Sequence, residues 1–193
     1  VQAPFSLHAD LSLGESAMRD SARFHFGFTI PFVPHFNAQA AVEAVANAKG
    51  DLGLVSATSS RTPWWLALEA DGAPRIIARL PFIERADHPA ALPVFVISRV
   101  ADDARVTEVE TWSVRVSGWN ANTARTLSPL AEIVAVPDTA FDGAALLVSI
   151  TGGTTLDTIK SALIDAGASV RSTALVGSHA TRYTMPSNGA DRP

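Results

Sequence analysis

Three polar runs in this chain carry residue types that can grip an anion. The first is Ser12, Gly14, Glu15 and Ser16, where a strand-like stretch gives way to a helix-like one. A helix N-terminus offers free backbone N–H groups and partial positive charge, so it can hold a carboxylate. Ser12 and Glu15 also have capping-box spacing, and the plain reading of the run is a helix cap. The second is Ser56, Thr58, Ser59, Ser60 and Arg61, directly after the apolar stretch from Asp51 to Val55. Ligands in open α/β sheets collect beyond the carboxyl ends of strands. Hydroxyls and a guanidinium there suit an organic acid, and the plain alternative is a polar loop. The third is Gly152-Gly153-Thr154-Thr155. It reads either as an amino-acid carboxylate subsite or as an ordinary turn.

Other chemistries find less support. His8, His25, His35, His88 and His179 form no HxH, HxxxH or HExxH set, so no metal site is expected. Zero cysteines remove disulfides and thiol chemistry. No GxSxG, phosphate loop or GxGxxG is present, and no cofactor is expected. The net charge is −4, and the 15 Lys and Arg residues are scattered, which gives no footprint for nucleic acid. No apolar run approaches the ~18 residues that cross a bilayer. With 193 residues and 47% hydrophobic content, the chain can bury a sizeable core.

The elements that must position these runs alternate. Phe5 to Leu13 reads as a strand. Met18, Ala22 and Phe26 then mark a helix face that Gly27 stops. Pro31 and Pro34 push residues 28–36 toward an edge strand or an extended loop. Asn37 caps a small-residue helix closed by Gly50, and Asp51 to Val55 is a buried strand. Pro63 opens a short helix carrying Trp64, Trp65 and Leu68. Trp64-Trp65 and the Phe-rich stretch 24–36 are read as core. Arg75 to Ile83, Leu92 to Val100, Thr111 to Val116 and Ala144 to Ile150 read as strands, with a helix capped by Asn120 and ending near Pro129. Thr154 and Asp157 have capping-box spacing before a stripe of Leu156, Ile159 and Leu163, which Gly167 ends. Val170 to Val176 and Thr181 to Met185 are the last strands. This alternation predicts α/β architecture. The expected division is a lobe over 1–100, a charged connector at 101–105, a second lobe or module over 106–186, and a tail over 187–193.

Residues Glu15 to Gly27, Val33 to Val45 and Gly50-Asp-Leu-Gly-Leu-Val-Ser56 resemble the opening of a prephenate dehydratase domain. That family begins with a strand and a Gly-Thr-Phe-Ser-type turn, then a helix ending near Phe-Gly. A Gly-Asp-Tyr-Gly-Val-type strand and a Glu-Asn-Ser loop follow. The resemblance is best over residues 12–60. It implies a two-lobed fold like that of periplasmic binding proteins, with a cleft for prephenate. It also implies decarboxylative dehydration to phenylpyruvate, a cytoplasmic role in phenylalanine synthesis, and a homodimer. Such domains are often fused to a chorismate mutase before them, which fits a chain that starts at Val1. An ACT-type phenylalanine-sensing domain often follows.

This chain departs from the family pattern. The Gly-Thr-Phe-Ser turn is reduced to Gly14-Glu15-Ser16. The Glu-Asn-Ser loop becomes Ala57-Thr58-Ser59 or Thr58-Ser59-Ser60, without carboxylate or amide. The family's Thr-Arg-Phe strand has two placements. One is Leu92-Pro93-Val94-Phe95, which lacks the threonine and arginine. The other is Thr181-Arg182-Tyr183, which has both and is preferred. With the first placement, residues 112–186 become an ACT-like module with Gly152 and Gly153 in its ligand loop. The expected catalytic pair is Thr181 and Arg182, and the expected ligand-binding residues are Ser16, Thr58, Ser59, Ser60, Arg61, Gly152 and Gly153. The implied function is a weakened dehydratase that binds prephenate-like or aromatic acids. A non-catalytic aromatic amino acid sensor and a solute-binding protein are the alternatives.

Overall fold

The computed structural model describes residues 5–85, 87–99, 108–138 and 142–185. The expected connector at 101–105 and tail at 187–193 lie outside the described residues. A mixed sheet forms the backbone of the molecule. Its first half contains β1 (Leu7–Asp10), β2 (Phe32–His35), β3 (Leu52–Ser56), β4 (Arg75–Leu80) and β6 (Val94–Ser98), in the order β2-β1-β3-β6-β4. β1 is parallel to β2 and β3, while β6 runs antiparallel to β3 and β4. Helix α1 (Glu15–Phe26) joins β1 to β2, and α2 (Ala38–Asn47) joins β2 to β3.

The second half is β7 (Val109–Ser117), α3 (Ala121–Leu127), β8 (Ala131–Asp138), β9 (Gly143–Ile150), α4 (Leu156–Asp165) and β10 (Ser169–His179). Its strand order is β10-β7-β9-β8, with every pair antiparallel. This is the split βαβ arrangement of ferredoxin-like units. β10 also runs parallel to β4, through Gly177 opposite Ile76, and so joins the halves. A separate two-stranded pair, β5 (Ile83–Glu84) with β11 (Tyr183–Thr184), returns the chain end to the first half.

Several sequence signals act as read. Gly27 caps α1, and the Asn37 side chain accepts the Ala40 N–H at 2.8 Å. Asn120 and Thr123 form a complete capping box on α3. β2 is an edge strand, as its prolines demand. Other readings are corrected. Ser12 does not cap α1; its hydroxyl donates to the Asp10 carboxylate at 3.0 Å, and Gly14 takes the cap position. The α4 cap is Thr155 rather than Thr154, and it accepts the Thr158 N–H. The strand expected from Arg75 to Ile83 breaks at Pro81, after a cis Leu80–Pro81 bond.

Three cores hold the layers. Met18 and Ala22 of α1 pack on Leu7, Leu54 and Val96. Leu127, Ile159 and Leu163 of α3 and α4 pack on Val114, Val116 and Leu146. The largest core sits on the other sheet face, around the 3-10 helix Trp64–Leu68. Trp64 and Trp65, 1% and 0% exposed, meet edge-on at 5.7 Å. They belong to one cluster with α2 and Val55 of the first half and Val134, Ala145 and Leu147 of the second, so one core serves both. Each large side chain buried this way contributes about 1.5–3 kcal/mol. The Phe-rich stretch behaves differently from its reading as core. Phe28 and Phe36 are 84% and 97% exposed, because they flank the edge strand and have no layer above them.

Arg75 adds a polar tie, donating to the carbonyls of Leu68 and Leu175 at 2.7 Å each. The join at Gly177 is close: a Cβ there would lie 2.2 Å from the Ile76 carbonyl oxygen, which no relaxation of a side chain can relieve. Gly177→Ala should therefore destabilise by about 1–3 kcal/mol, the scale of overpacking. Urea unfolding measures this, and an unchanged midpoint would show that the join is loose.

Candidate functional site

The carboxyl ends of β1, β3 and β4 share one sheet edge. Beside it a cleft of about 540 Å³ opens between the two halves. Its first wall is Ala57, Thr58 and Arg79; its second is Trp119, Ala124 and Ser128 around α3, and Ala131, Glu132 and Ile133 of β8. β8 is the outer strand of the second half, and the sheet must curl to bring it over the end of β3 and β4.

Arg79 anchors this site. It is only 4% exposed, and its guanidinium lies over the Phe95 ring at 5.6 Å. Nη1 pairs with Glu132 Oε2, and Nε has no partner among the described residues. The other Glu132 oxygen receives Arg182 Nη2 at 3.2 Å. Arg182 Nη1 lies 3.2 Å from Glu84 Oε1. Two guanidinium groups thus meet two carboxylates, with charge in balance and Glu132 bridging both cations. Behind them stands His179, 2% exposed, its ring 5.9 Å from that of Phe95.

The expected site residues distribute unevenly. Thr58 lines the cleft; its N–H donates to Ser56 Oγ at 3.4 Å. Ser59 and Arg61 are exposed on the loop beyond. The Ser60 hydroxyl donates to the Thr62 carbonyl at 2.6 Å, which occupies it in a local turn. Ser16 is exposed in the first turn of α1, at the same sheet edge but not in the cleft lining. Gly152 and Gly153 form the β9–α4 turn at φ +65° and +82° and are exposed. Arg182 reaches the site through Glu132. The Thr181 N–H donates to Glu108 Oε2 at 2.8 Å, and its side chain is exposed.

Arg79 and Glu132 were absent from the sequence reading. Ala131 to Val136 is apolar except for Glu132, with Ala131 and Ile133 in one core and Val134 and Val136 in another, so this strand carries no clean period-two signal. Among the described residues no group of three His, Asp or Glu side chains could hold a metal, and no helix is long and apolar enough to cross a membrane.

No protein-family model matches the chain, and no curated protein matches it by sequence. Solved structures do match. The prephenate dehydratase from Streptococcus mutans aligns over 94% of this chain and 100% of its own, at TM-score 0.51 and 13% identity. That from Staphylococcus aureus subsp. aureus Mu50 covers 91% and 100%, at TM-score 0.52 and 11% identity. The fold is thus an α/β fold of the prephenate dehydratase type, a two-lobed periplasmic-binding-protein-like class. GqqA, described as a novel type of quorum quenching acylase, is equally similar, at TM-score 0.53, 12% identity and coverage of 92% and 95%.

Two outcomes follow from the electrostatics. Removing one partner of a buried pair strands the other charge, whereas Glu132 is 48% exposed and can turn to water. Glu132→Ala should cost about 2 kcal/mol, below the about 3–5 kcal/mol of a fully buried pair. Arg79→Met should cost less than Glu132→Ala, since it leaves no buried charge; denaturant unfolding that reverses this order would refute the account.

Histidines supply the second. Burial first, and then a neighbouring cation or imidazole, lowers the pKa of His25, His35 and His179 below 6.5. His35 lies 2.9 Å from His8, whose other nitrogen lies 3.0 Å from Asp51. Each of the three histidines with a lowered pKa binds a proton more weakly folded than unfolded. Their contribution is therefore present above pH 6.5 and is lost as pH falls through the folded values. Melting temperature should drop as pH is lowered below about 6.5; a flat profile down to the carboxylate range would contradict it.

Proposed function

We propose that the cleft binds a small aromatic or cyclohexadienyl carboxylic acid. The observation that carries this is Arg79, a buried guanidinium lining an inter-half cleft beside Thr58 and Trp119. Arg79 supplies a fixed cation in a region of low dielectric, Trp119 an aromatic surface, and Thr58 a hydroxyl. Arg182 stands one carboxylate behind, so displacing Glu132 exposes two guanidinium groups to a dicarboxylate. The similarity to dehydratase structures supports prephenate as the first acid to test.

Prephenate dehydration asks little of a protein. The ring carboxylate leaves as carbon dioxide, its bonding pair enters the ring, and the hydroxyl departs as water after accepting a proton. Aromatisation drives the step, so two held carboxylates and one proton donor suffice. In this reading Arg79 and Arg182 hold the acid and Thr58, the hydroxyl in the cleft lining, assists the leaving group; Thr181, expected in that role from the sequence, has an exposed side chain outside the lining. The loop from Thr58 to Ser60 lacks the carboxylate and amide of the Glu-Asn-Ser type. A lost transition-state donor commonly costs about 10²–10³ in rate. We therefore read the chain as a weakened dehydratase, or a binding module of phenylalanine biosynthesis, that works as a cytoplasmic homodimer attached to or associated with a chorismate mutase. The split βαβ arrangement of the second half supports the ACT-like, sensing alternative, as does the sequence-based division near 101–105.

Thermal shift and turnover with prephenate test this together. At a hundredfold excess over Kd the ligand should add about 2.7 kcal/mol, or a rise of about 5–10 °C for a domain of this size. Arg79→Gln should abolish the rise and Arg61→Ala should keep it. Thr58→Ala should lower phenylpyruvate formation far more than binding, and Thr181→Ala should change neither. Absence of any shift with prephenate, phenylpyruvate or phenylalanine refutes the acid-binding reading. Release of an acyl chain from an N-acyl amide would move the chain toward the acylase chemistry of its other structural neighbour.

A further inference from the structure

His179 closes β10 behind the cleft, and nothing so far uses its free nitrogen. Nδ1 lies 2.8 Å from the Ala180 carbonyl oxygen, which can only accept, so Nδ1 carries the hydrogen. Nε2 is left with a lone pair, buried and without a partner among the described residues. An acceptor so placed is costly unless something fills it. The charged groups around the ring come from three directions: Arg79 on β4, Glu132 on β8 and Arg182 after β10. Phe95 of β6 supplies an apolar neighbour.

We propose that capture of a carboxylate in the cleft is coupled to uptake of one proton on His179. This rests on the acid-binding reading above. Without ligand, Arg79 and Arg182 are balanced by Glu132 and Glu84. A carboxylate that takes Arg79 from Glu132 while Glu132 stays on Arg182 adds a negative charge where no further cation stands ready. An uncompensated charge is poorly tolerated in a buried site. Among the described residues His179 is the neutral side chain beside Arg79 and Arg182 whose gain of a proton restores the balance, and its unpartnered Nε2 is the position that receives it. Burial and the two guanidinium groups hold the ring neutral in the free protein; an arriving anion opposes both cations. The ligand thus enters as an anion together with a proton from solvent, and lower pH favours binding.

Glu132 is the competing acceptor, because a proton there would also offset the added charge. Calorimetry with prephenate in buffers of different ionisation enthalpy separates the two. Wild-type protein should take up a fraction of a proton on binding near pH 6.5, fading as pH rises, and affinity should rise as pH falls, by at most about tenfold per unit. His179→Asn should abolish uptake and flatten the pH dependence, while His35→Gln, remote from the cleft, should leave both. Should His179→Asn fail to fold, imidazole NMR on unmodified protein decides, since prephenate must raise the His179 midpoint. Binding without proton uptake, uptake that survives His179→Asn, or a His179 midpoint that prephenate leaves in place overturns the proposal. Absence of binding heat at every pH removes the acid-binding reading itself, and this coupling with it.

Discussion

Burial of the Arg79 guanidinium is the constraint around which the halves are arranged. A guanidinium cannot shed its proton, so a group 4% exposed must find its countercharge within the protein. Local structure offers none: Arg79 sits in β4 among Ala78 and Leu80, opposite Phe95. The countercharge comes from Glu132 on the far strand of the second half, and Glu132 in turn accepts Arg182 from the chain end. Meeting that demand fits with the curl of the sheet, the shared core around Trp64 and Trp65, and the return of the C-terminal segment beside β5. Hydrophobic burial supplies most of the stability, but it is non-directional. The charge network selects which edge of the second half faces which end of the first.

Under the proposed function, the same charge balance decides which acid the cleft admits. Its anion-binding capacity is already occupied by a side chain of the protein, and Glu132 is half exposed and free to swing toward water. A ligand carboxylate therefore competes with an internal one rather than filling an empty hole. Affinity under such competition depends on what the rest of the ligand gains against Trp119 and Ile133. That favours an acid with an apolar ring over a small polar one. Fold alone says less, because dehydratase and acylase structures share it at nearly equal likeness, and reaction type resides in the site.

Much of the fold was legible because its signals are local. Asn37 and Asn120 cap the helices they precede, and Gly27 ends α1, since each depends on a few neighbouring backbone groups. Ser12 misled for an equally local reason: the Asp10 carboxylate, two residues back, takes its hydroxyl first. The exposure of Phe28 and Phe36 depends on strand order, which periodicity does not carry, whereas the break at Pro81 is local, since proline has no N–H for the ladder. The site was hardest to read. Arg79 looks like any strand arginine until β8 is placed over it, and β8 itself carries no clean period-two signal. Of the residues singled out by type, Thr58 lines the cleft and Arg182 reaches its wall, while Ser16, Gly152 and Gly153 stand elsewhere along the same molecule.

The division of labour between loop and strand bears on activity. By residue type, the hydroxyl loop from Thr58 to Arg61 is the expected grip, and it carries neither the carboxylate nor the amide of the Glu-Asn-Ser type. In the structure the fixed cation belongs to β4, and the loop contributes Thr58 at the rim. Under the proposed function, a loop without carboxylate or amide leaves charge recognition to Arg79 and offers few donors to a departing hydroxyl. Interactions that hold substrate and transition state equally lower the free energy of both and do not accelerate the chemical step. Under the proposed function, a cleft with a fixed guanidinium and few hydroxyl or amide donors favours holding an acid over transforming it, because the charge acts on substrate and transition state alike.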